Sequence, residues 1–300
     1  MRVVVAYDGS KGAEQALALA DAIRWPAGTT LRIVTVIEPP LLYLGPPLGG
    51  PVVVPEIDED LTAYAQELAS DAARRLRSDR RTVETVVLHG RPGSALVEEA
   101  ERSAADLVIC GSRGHGRVLS LLLGSVSAEI VDHAPCPVLV ARKTSLGRVV
   151  FATDGSAASA AAETLLATWP IFEGVPIRVV TVADVAEPWH TGIAPTLYAQ
   201  VLEAHARDLD QAKTECRRIA DEAAARLRAA GRDAQAELRT GGAAAEIIAA
   251  TEATGADLVV IGSRGQTGLA GILLGSVARN VLHGSKASVL VVRGARPSVR

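Results

Sequence analysis

Short, nearly uninterrupted apolar runs alternate with helix-period segments along the first half of the chain. The runs RVVVAY (2–7), LRIVTVI (31–37), VETVVL (83–88), DLVIC (106–110) and PVLVA (137–141) are rich in Val, Ile and Leu, the pattern of parallel strands covered on both faces. Between them Ala13, Ala16, Leu17, Ala20 and Ile23 share one helical face, as do Leu61, Tyr64, Ala65, Leu68 and Ala72. Alternation with right-handed crossovers predicts a doubly wound sheet with helices on both sides, where ligands bind beyond the carboxyl ends of strands at the point the winding reverses. The loops after the first and fourth strands are therefore the places to look.

The same pattern then repeats. RVVVAYDGS (2–10) returns as RVVFATDGS (148–156) and RIVTVIE (32–38) as RVVTVAD (178–184), both offset by 146; ADLVICGSRG (105–114) returns as ADLVVIGSRG (256–265), offset by 151. Whole blocks recurring in order at this spacing describe a duplicated domain and not a short-repeat solenoid. The expected domains are 1–143 and 147–300. The stretch EPPLLYLGPPLGGPVVVPE (38–56) carries six prolines and three glycines and reads as a loop, either folded over a neighbouring surface or packed at a subunit contact.

The most informative repeat is GSRGHGRVLSLLLGSV (111–126), which becomes GSRGQTGLAGILLGSV (262–277). Over 107–126 and 258–277, 11 of 20 positions agree, including all three glycines, both serines and Arg113/Arg264, while 115–121 has diverged. Each copy runs from a strand through a glycine loop into a helix. Unpaired amides and the dipole at a helix start favour an anion, glycines admit close approach and positive φ, and a serine hydroxyl adds a donor. Retention of the spacing in both copies favours phosphate binding over glycines that merely make turns.

Composition narrows the picture. The formal net charge is -3, from 31 basic and 34 acidic residues with no long single-sign run, so the electrostatic footprint of a nucleic-acid binder is missing. Cys110, Cys136 and Cys216 form no CxxC pair or metal-ligand spacing and fit a reduced compartment as small core residues. The N-terminal MRVVVAYDGSK reads as neither a secretory signal nor a membrane span, so a cytoplasmic protein without membrane contact is expected.

With the glycine motif in place, the chain resembles the universal stress protein family, in its tandem form and in the branch that carries Gly-2x-Gly-9x-Gly-Ser/Thr. The resemblance implies two adenine nucleotide alpha hydrolase-like domains of strand order 3-2-1-4-5, each with one ATP site. It assigns ribose and phosphate binding to Gly111, Gly114, Gly124 and Ser125 with Val126 beside them, and to Gly262, Gly265, Gly275 and Ser276 with Val277. Asp8 and Asp154, ending the first strand, and Val36 and Val182, in the second, are placed around the adenine. Asp-Gly-Ser is also an ordinary turn and helix start. Arg113 and Arg264 either pair with phosphates or remain solvated. Mg would ride on the phosphates with waters, with Asp8 or Asp154 as the nearby carboxylate.

The resulting expectation is a nucleotide-dependent regulator or sensor in stress response with an unidentified protein partner; homodimerisation is compatible with it. Two other readings compete. A slow ATP hydrolase or phosphotransferase would need a base, a metal-binding carboxylate pair or a catalytic Lys, and the sequence offers neither these nor a GxxxxGK[ST] loop. A nucleotide-free interaction scaffold would leave the twin motif unexplained. No catalytic or metal-ligating residue is assigned: His115 and Arg117 become Gln266 and Gly268, His133 and His283 occupy non-equivalent places, His89 is a loop residue, and Cys136 becomes Ala287.

Overall fold

In each half of the chain the apolar runs assemble into a parallel sheet. A computed structural model describes residues 1–38, 42–44, 50–52, 55–78, 80–114, 123–185, 195–265 and 274–294, and the chain divides into two units, Met1–Leu146 and Gly147–Arg300. The first contains β1 (Arg2–Ala6), α1 (Lys11–Ala22), β2 (Thr29–Ile37), β3 (Leu42–Leu44), β4 (Gly50–Val52), α2 (Pro55–Leu76), β5 (Arg81–His89), α3 (Pro92–Arg102), β6 (Leu107–Gly111), α4 (Ser125–His133) and β7 (Val138–Ala141). Its main sheet runs β5-β2-β1-β6-β7 with every neighbouring pair parallel. Counting main-sheet strands along the chain, that order is 3-2-1-4-5.

The second unit contains β8 (Val149–Ala152), α5 (Ala157–Thr168), a 3-10 turn at Pro170–Phe172, β9 (Ile177–Ala183), α6 (Pro195–Ala229), β10 (Ala234–Thr240), α7 (Ala243–Thr254), β11 (Leu258–Gly262), α8 (Ser276–Gly284) and β12 (Ser288–Val292). Its sheet, β10-β9-β8-β11-β12, is again all parallel and of the same order. The winding reverses between the first and fourth main strands, and this opens a crevice at their carboxyl ends.

Central strands are dry on both faces. Val3, Val4 and Val5 lie opposite Leu107, Val108 and Ile109 on one side and Leu31, Arg32 and Ile33 on the other; the apolar members of this set are at most 1% exposed. Each such side chain contributes roughly 1.5–3 kcal/mol by leaving water. The edge strand β5 is only half-buried along its length, because one flank lacks a neighbour. VETVVL is thus less enclosed than its apolar content suggests.

Of the α1 positions read as a stripe, Ala13, Ala16, Leu17, Ala20 and Ile23 are all buried. In α2 the stripe is displaced: Ala65, Ala69, Ala72, Ala73 and Leu76 are buried, whereas Tyr64 is 64% exposed. Small alanines set the close face, and the large aromatic ring is left outside. Within 38–56, read as a loop, Leu42–Leu44 and Gly50–Val52 pair as a short antiparallel ladder separate from the main sheet. Pro55 and Glu56 already belong to α2, and residues 39–41, 45–49 and 53–54, like His115, Arg117, Gln266 and Gly268, lie outside the described residues.

Candidate functional site

The turn between β1 and α1 is built by Asp-Gly-Ser. Gly9 takes φ +76, the left-handed region where a side chain is strained. Ser10 then caps α1, its Oγ accepting from the Ala13 amide at 3.2 Å. Asp8 uses Oδ1 to accept from the Ser10 amide at 2.9 Å. Unit 2 repeats each step: Gly155 has φ +76, Ser156 Oγ accepts from Ser159 N at 3.3 Å, and Asp154 Oδ1 accepts from Ser156 N at 3.0 Å.

The glycine loop is fastened to this turn. Ser10 Oγ donates to the Arg113 carbonyl at 3.3 Å, and Ser156 Oγ to that of Arg264 at 3.2 Å. The loop closes on itself where Gly124 N–H donates to Ser112 O at 2.9 Å, and Gly275 N–H to Ser263 O at 2.8 Å. In unit 1 Ser127 Oγ donates to Gly111 O at 2.6 Å. None of the six motif glycines has positive φ, so their value is close approach. A Cβ on Gly111 would overlap the main chain of Gly12 and sit 2.8 Å from Ala13 N; one on Gly262 would lie 2.8 Å from Ala158 C and Ser159 N. Among the described residues a Cβ on Gly114 or Gly265 would meet only Asp8 Oδ2 at 2.9 Å or Asp154 Oδ2 at 2.8 Å as a first neighbour. The first glycine of each motif therefore lets a helix touch a strand, and the second keeps the space beside a carboxylate clear.

Helix capping separates these helices by role. α1 and α5 are capped by serine side chains, whereas Gly124 and Gly275 cap α4 and α8 without any side-chain hydrogen bond. The amides opening α4, at Ser125, Val126 and Ser127, have no acceptor one turn earlier within the helix, and the dipole places partial positive charge there. Ser125 is the first helical residue and is exposed, so its hydroxyl is available as well. Ser276 and Val277 open α8 in the same manner.

In unit 1 these pieces surround one cleft of about 660 Å³, lined among others by Asp8, Val36, Gly111, Arg113, Gly114, Gly124, Ser125 and Val126. The structure thus brings together every residue of the first half that the sequence singled out. Apolar walls come from Val34, Val36, Leu96 and Leu123, and polar groups cluster where β1, β6 and α4 converge. In unit 2 Asp154 stands beside Gly265, and the Arg264 backbone beside Gly275. Val182 lies on β9, and its carbonyl accepts from the Cys216 thiol at 3.5 Å.

Sequence reasoning missed Tyr7, Glu38, Pro92, Leu96, Cys110 and Ser127, all on the cleft wall. Tyr7 O–H donates to Glu14 Oε1, and Glu14 accepts from both terminal nitrogens of Arg75 at 3.0 and 2.8 Å. Burial, then the Glu14 carboxylate, push the Tyr7 hydroxyl up to about 12. The Arg75 hydrogen bonds hold Glu14 below the usual carboxylate range. Burial likewise raises the Cys110 thiol to about 12, leaving it protonated and a weak nucleophile at neutral pH. Tyr7 adjoins Asp8, but its counterpart is Thr153, so duplication offered no signal for it. Among the described residues no group of three or more His, Cys, Asp or Glu side chains gathers to hold a metal, and no helix is long and apolar enough to cross a membrane.

Two doubly wound units of order 3-2-1-4-5, with a glycine loop between the fourth strand and a glycine-capped helix, define the adenine nucleotide alpha hydrolase-like class of fold. The model of the universal stress protein family matches residues 1–142 and again 146–293, so the chain belongs to that family, in tandem form. A universal stress protein of Mycobacterium tuberculosis is 28% identical over 303 residues, covering 97% of this chain and 96% of its own. One from Thermus aquaticus is 36% identical over 140 residues, covering 47% of this chain and 97% of its own. Among solved structures, a universal stress protein from Archaeoglobus fulgidus superposes with a TM-score of 0.66 at 18% identity, covering 98% of this chain and 96% of that one, a likeness of fold.

Proposed function

We propose that the protein binds ATP with Mg, one molecule in each unit, and acts as a nucleotide-dependent regulator in stress response. The observation that carries this reading is the unit 1 cleft, where the residues opening a glycine-capped helix, Ser125 and Val126, and Arg113 border the same space as Asp8 and Val36. Phosphates would be held by the amides of Ser125 and Val126 and the Ser125 hydroxyl, with Gly111, Gly114 and Gly124 admitting them and Arg113 adding charge. The adenine would lie by Val36, its amine donating to Asp8 Oδ2. In unit 2 Gly262, Arg264, Gly265, Gly275, Ser276, Val277, Asp154 and Val182 take the corresponding roles. Mg would sit on phosphate oxygens and water, with Asp8 or Asp154 the adjacent carboxylate.

Charge-assisted hydrogen bonds of roughly 1.5–3 kcal/mol each suffice for micromolar affinity after ordering costs. Binding at the glycine loop selects one state of the adjoining surface for a protein partner. The cytoplasm, where ATP is abundant, is the compartment that fits, and a homodimer is compatible with this role.

The test is to denature the purified protein, identify any released nucleotide, and titrate ATP by calorimetry with and without Mg. Two equivalents per chain are expected. No adenine-nucleotide binding would leave a scaffold whose glycines serve only close packing, and steady ATP turnover lost on Asp8→Asn or Asp154→Asn would make the protein a hydrolase.

A further inference from the structure

At the other end of the sheets, where the strands begin, a charged cluster present in unit 1 is replaced by empty space in unit 2. In unit 1 Arg32, on β2, is fully engaged: Nε and one terminal nitrogen donate to Glu84 Oε2 at 2.9 and 2.6 Å, and the other to Glu99 Oε1 at 2.8 Å. Glu99, on α3, is 1% exposed and also pairs with Arg102. Arg178 occupies the same place on β9, opposite Gln235 in the register that sets Arg32 opposite Glu84. By chain order the positions of Glu84, Glu99 and Arg102 have become Gln235, Ala250 and Ala253.

Arg178 has thus lost both of its carboxylates. Among the described residues its side chain makes no hydrogen bond and a single ion pair, Nε to Glu237 Oε2 at 3.6 Å, and Glu237 already accepts from Arg239 at 2.8 Å. Beside Gln235 and Ala253, the counterparts of Glu84 and Arg102, a cavity of about 420 Å³ is bordered by Arg148, Arg178, Asp233, Gln235, Ala253 and Thr254, whereas Ala250 is buried and does not line it. Arg148 is fixed to its wall by donating to the Thr254 carbonyl. Two guanidinium groups, one carboxylate and an amide therefore face a space within the size range of small-ligand pockets.

We infer that this cavity binds a small carboxylate, whose head pairs with the Arg178 guanidinium as carboxylates of the chain itself pair with Arg32 in unit 1. A guanidinium presents a planar fork that matches a carboxylate, and the intact cluster around Arg32 shows this arginine position accepting that partner. Asp233 and Gln235 at the rim accept from a hydroxyl on the ligand's body, so a hydroxy acid fits better than a second carboxylate. The site is independent of ATP binding, since none of these residues belongs to the glycine loop or its surroundings.

L-Lactate is the probe, with lactamide as its uncharged counterpart and inorganic phosphate as a competing anion, added to the full chain labelled with ¹⁵N. Lactate is expected to shift the Arg178 Nε–H signal and the Ala253 and Thr254 amides saturably, with lactamide producing no such shift. Arg178→Gln should weaken lactate binding by about tenfold or more, the loss of a charge-assisted pair. Ala253→Glu, which puts a carboxylate of the chain itself at the cavity from an exposed position, should abolish it. Equal response to lactamide, tighter binding of phosphate than of lactate, or unchanged lactate affinity in Arg178→Gln would each overturn the inference. Arg178→Gln removes only a partly exposed side chain, so it remains decisive even if Ala253→Glu fails to fold.

Discussion

Unit 1 and unit 2 hold the same main chain at the carboxyl ends of their strands and dress it with different side chains. The Asp-Gly-Ser turn, its serine cap, the clasp of that serine on the glycine loop and the closure of the loop by Gly124 or Gly275 repeat bond for bond. The wall does not repeat. Where unit 1 has Tyr7, Glu14 and Arg75 in one chain of hydrogen bonds, unit 2 has Thr153 and Ala160, and Arg226 reaches Glu163 on α5 instead. After duplication the backbone scaffold has been kept in common, and the side chains that tune it have been free to differ.

The comparison breaks most sharply at the first glycine of each motif. Gly111→Val and Gly262→Val drive side-chain atoms into the start of α1 or α5, where only main chain is available to move. Each should cost its own unit about 3 kcal/mol, the upper part of the usual overpacking range, read as a lowered denaturation midpoint. An undiminished midpoint in either would show that helix and strand can separate at no cost.

Alkaline pH should distinguish the units next. Because the folded state pushes the Tyr7 hydroxyl from 10.0 up to about 12, it keeps its proton after the unfolded chain has lost it. Its contribution is therefore complete below about pH 10 and is lost as the pH rises through about 12, roughly 2–3 kcal/mol in all. Tyr7→Phe should remove that part of the alkaline decline, and Thr153→Ala should leave the decline unaltered. Glu14 behaves in the opposite sense: held below the usual range by Arg75, it contributes above its unfolded pKa and loses that contribution as the pH falls through its folded one.

Gly114→Val and Gly265→Val form the mildest contrast for folding. The new Cβ meets the end of a side chain, the Oδ2 of Asp8 or Asp154, and, among the described residues, no main chain, so stability should change by less than about 1 kcal/mol. ATP affinity of the altered unit should fall by about tenfold or more, with the other unit unchanged. Calorimetry of the two single variants checks this: full stoichiometry at undiminished affinity in both would remove the second glycine from the site.

How much of this was legible in the sequence depended on what the backbone demands. The parallel strands, the Asp-Gly-Ser turn and the spacing from Gly111 to Ser125 could be read because buried strands, caps and close approach each require particular residue types and were stated twice, whereas the strand order followed from the family resemblance. Tyr7, Ser127 and Leu96 could not, since they reach the cleft from three elements and are not retained at Thr153, Ala278 and Ile247. Tyr64 was misplaced because helical spacing cannot tell a large residue beside the buried stripe from one inside it; the alanines at 65, 69, 72 and 73 decide which face fits against the sheet. The duplicated glycines also concealed their division of labour. That Gly111 serves helix–strand contact while Gly114 clears the space beside Asp8 is a matter of which atoms stand nearby, and spacing alone is silent on it.

The bond from Gly124 N–H to Ser112 O, and its twin from Gly275 to Ser263, also sets the terms on which this family member can change. Arg113 and Gly114, with Arg264 and Gly265, are retained next to the first anchor, and the span up to the second keeps its length in both units, so what remains open to change between fixed ends is side-chain identity. The divergence of 115–121 from 266–272 beside two conserved anchors is the record of that freedom. For protein engineering it makes 115–121 a cassette whose side chains can be exchanged at constant length while the sheet, the caps and the neighbouring helix keep their places.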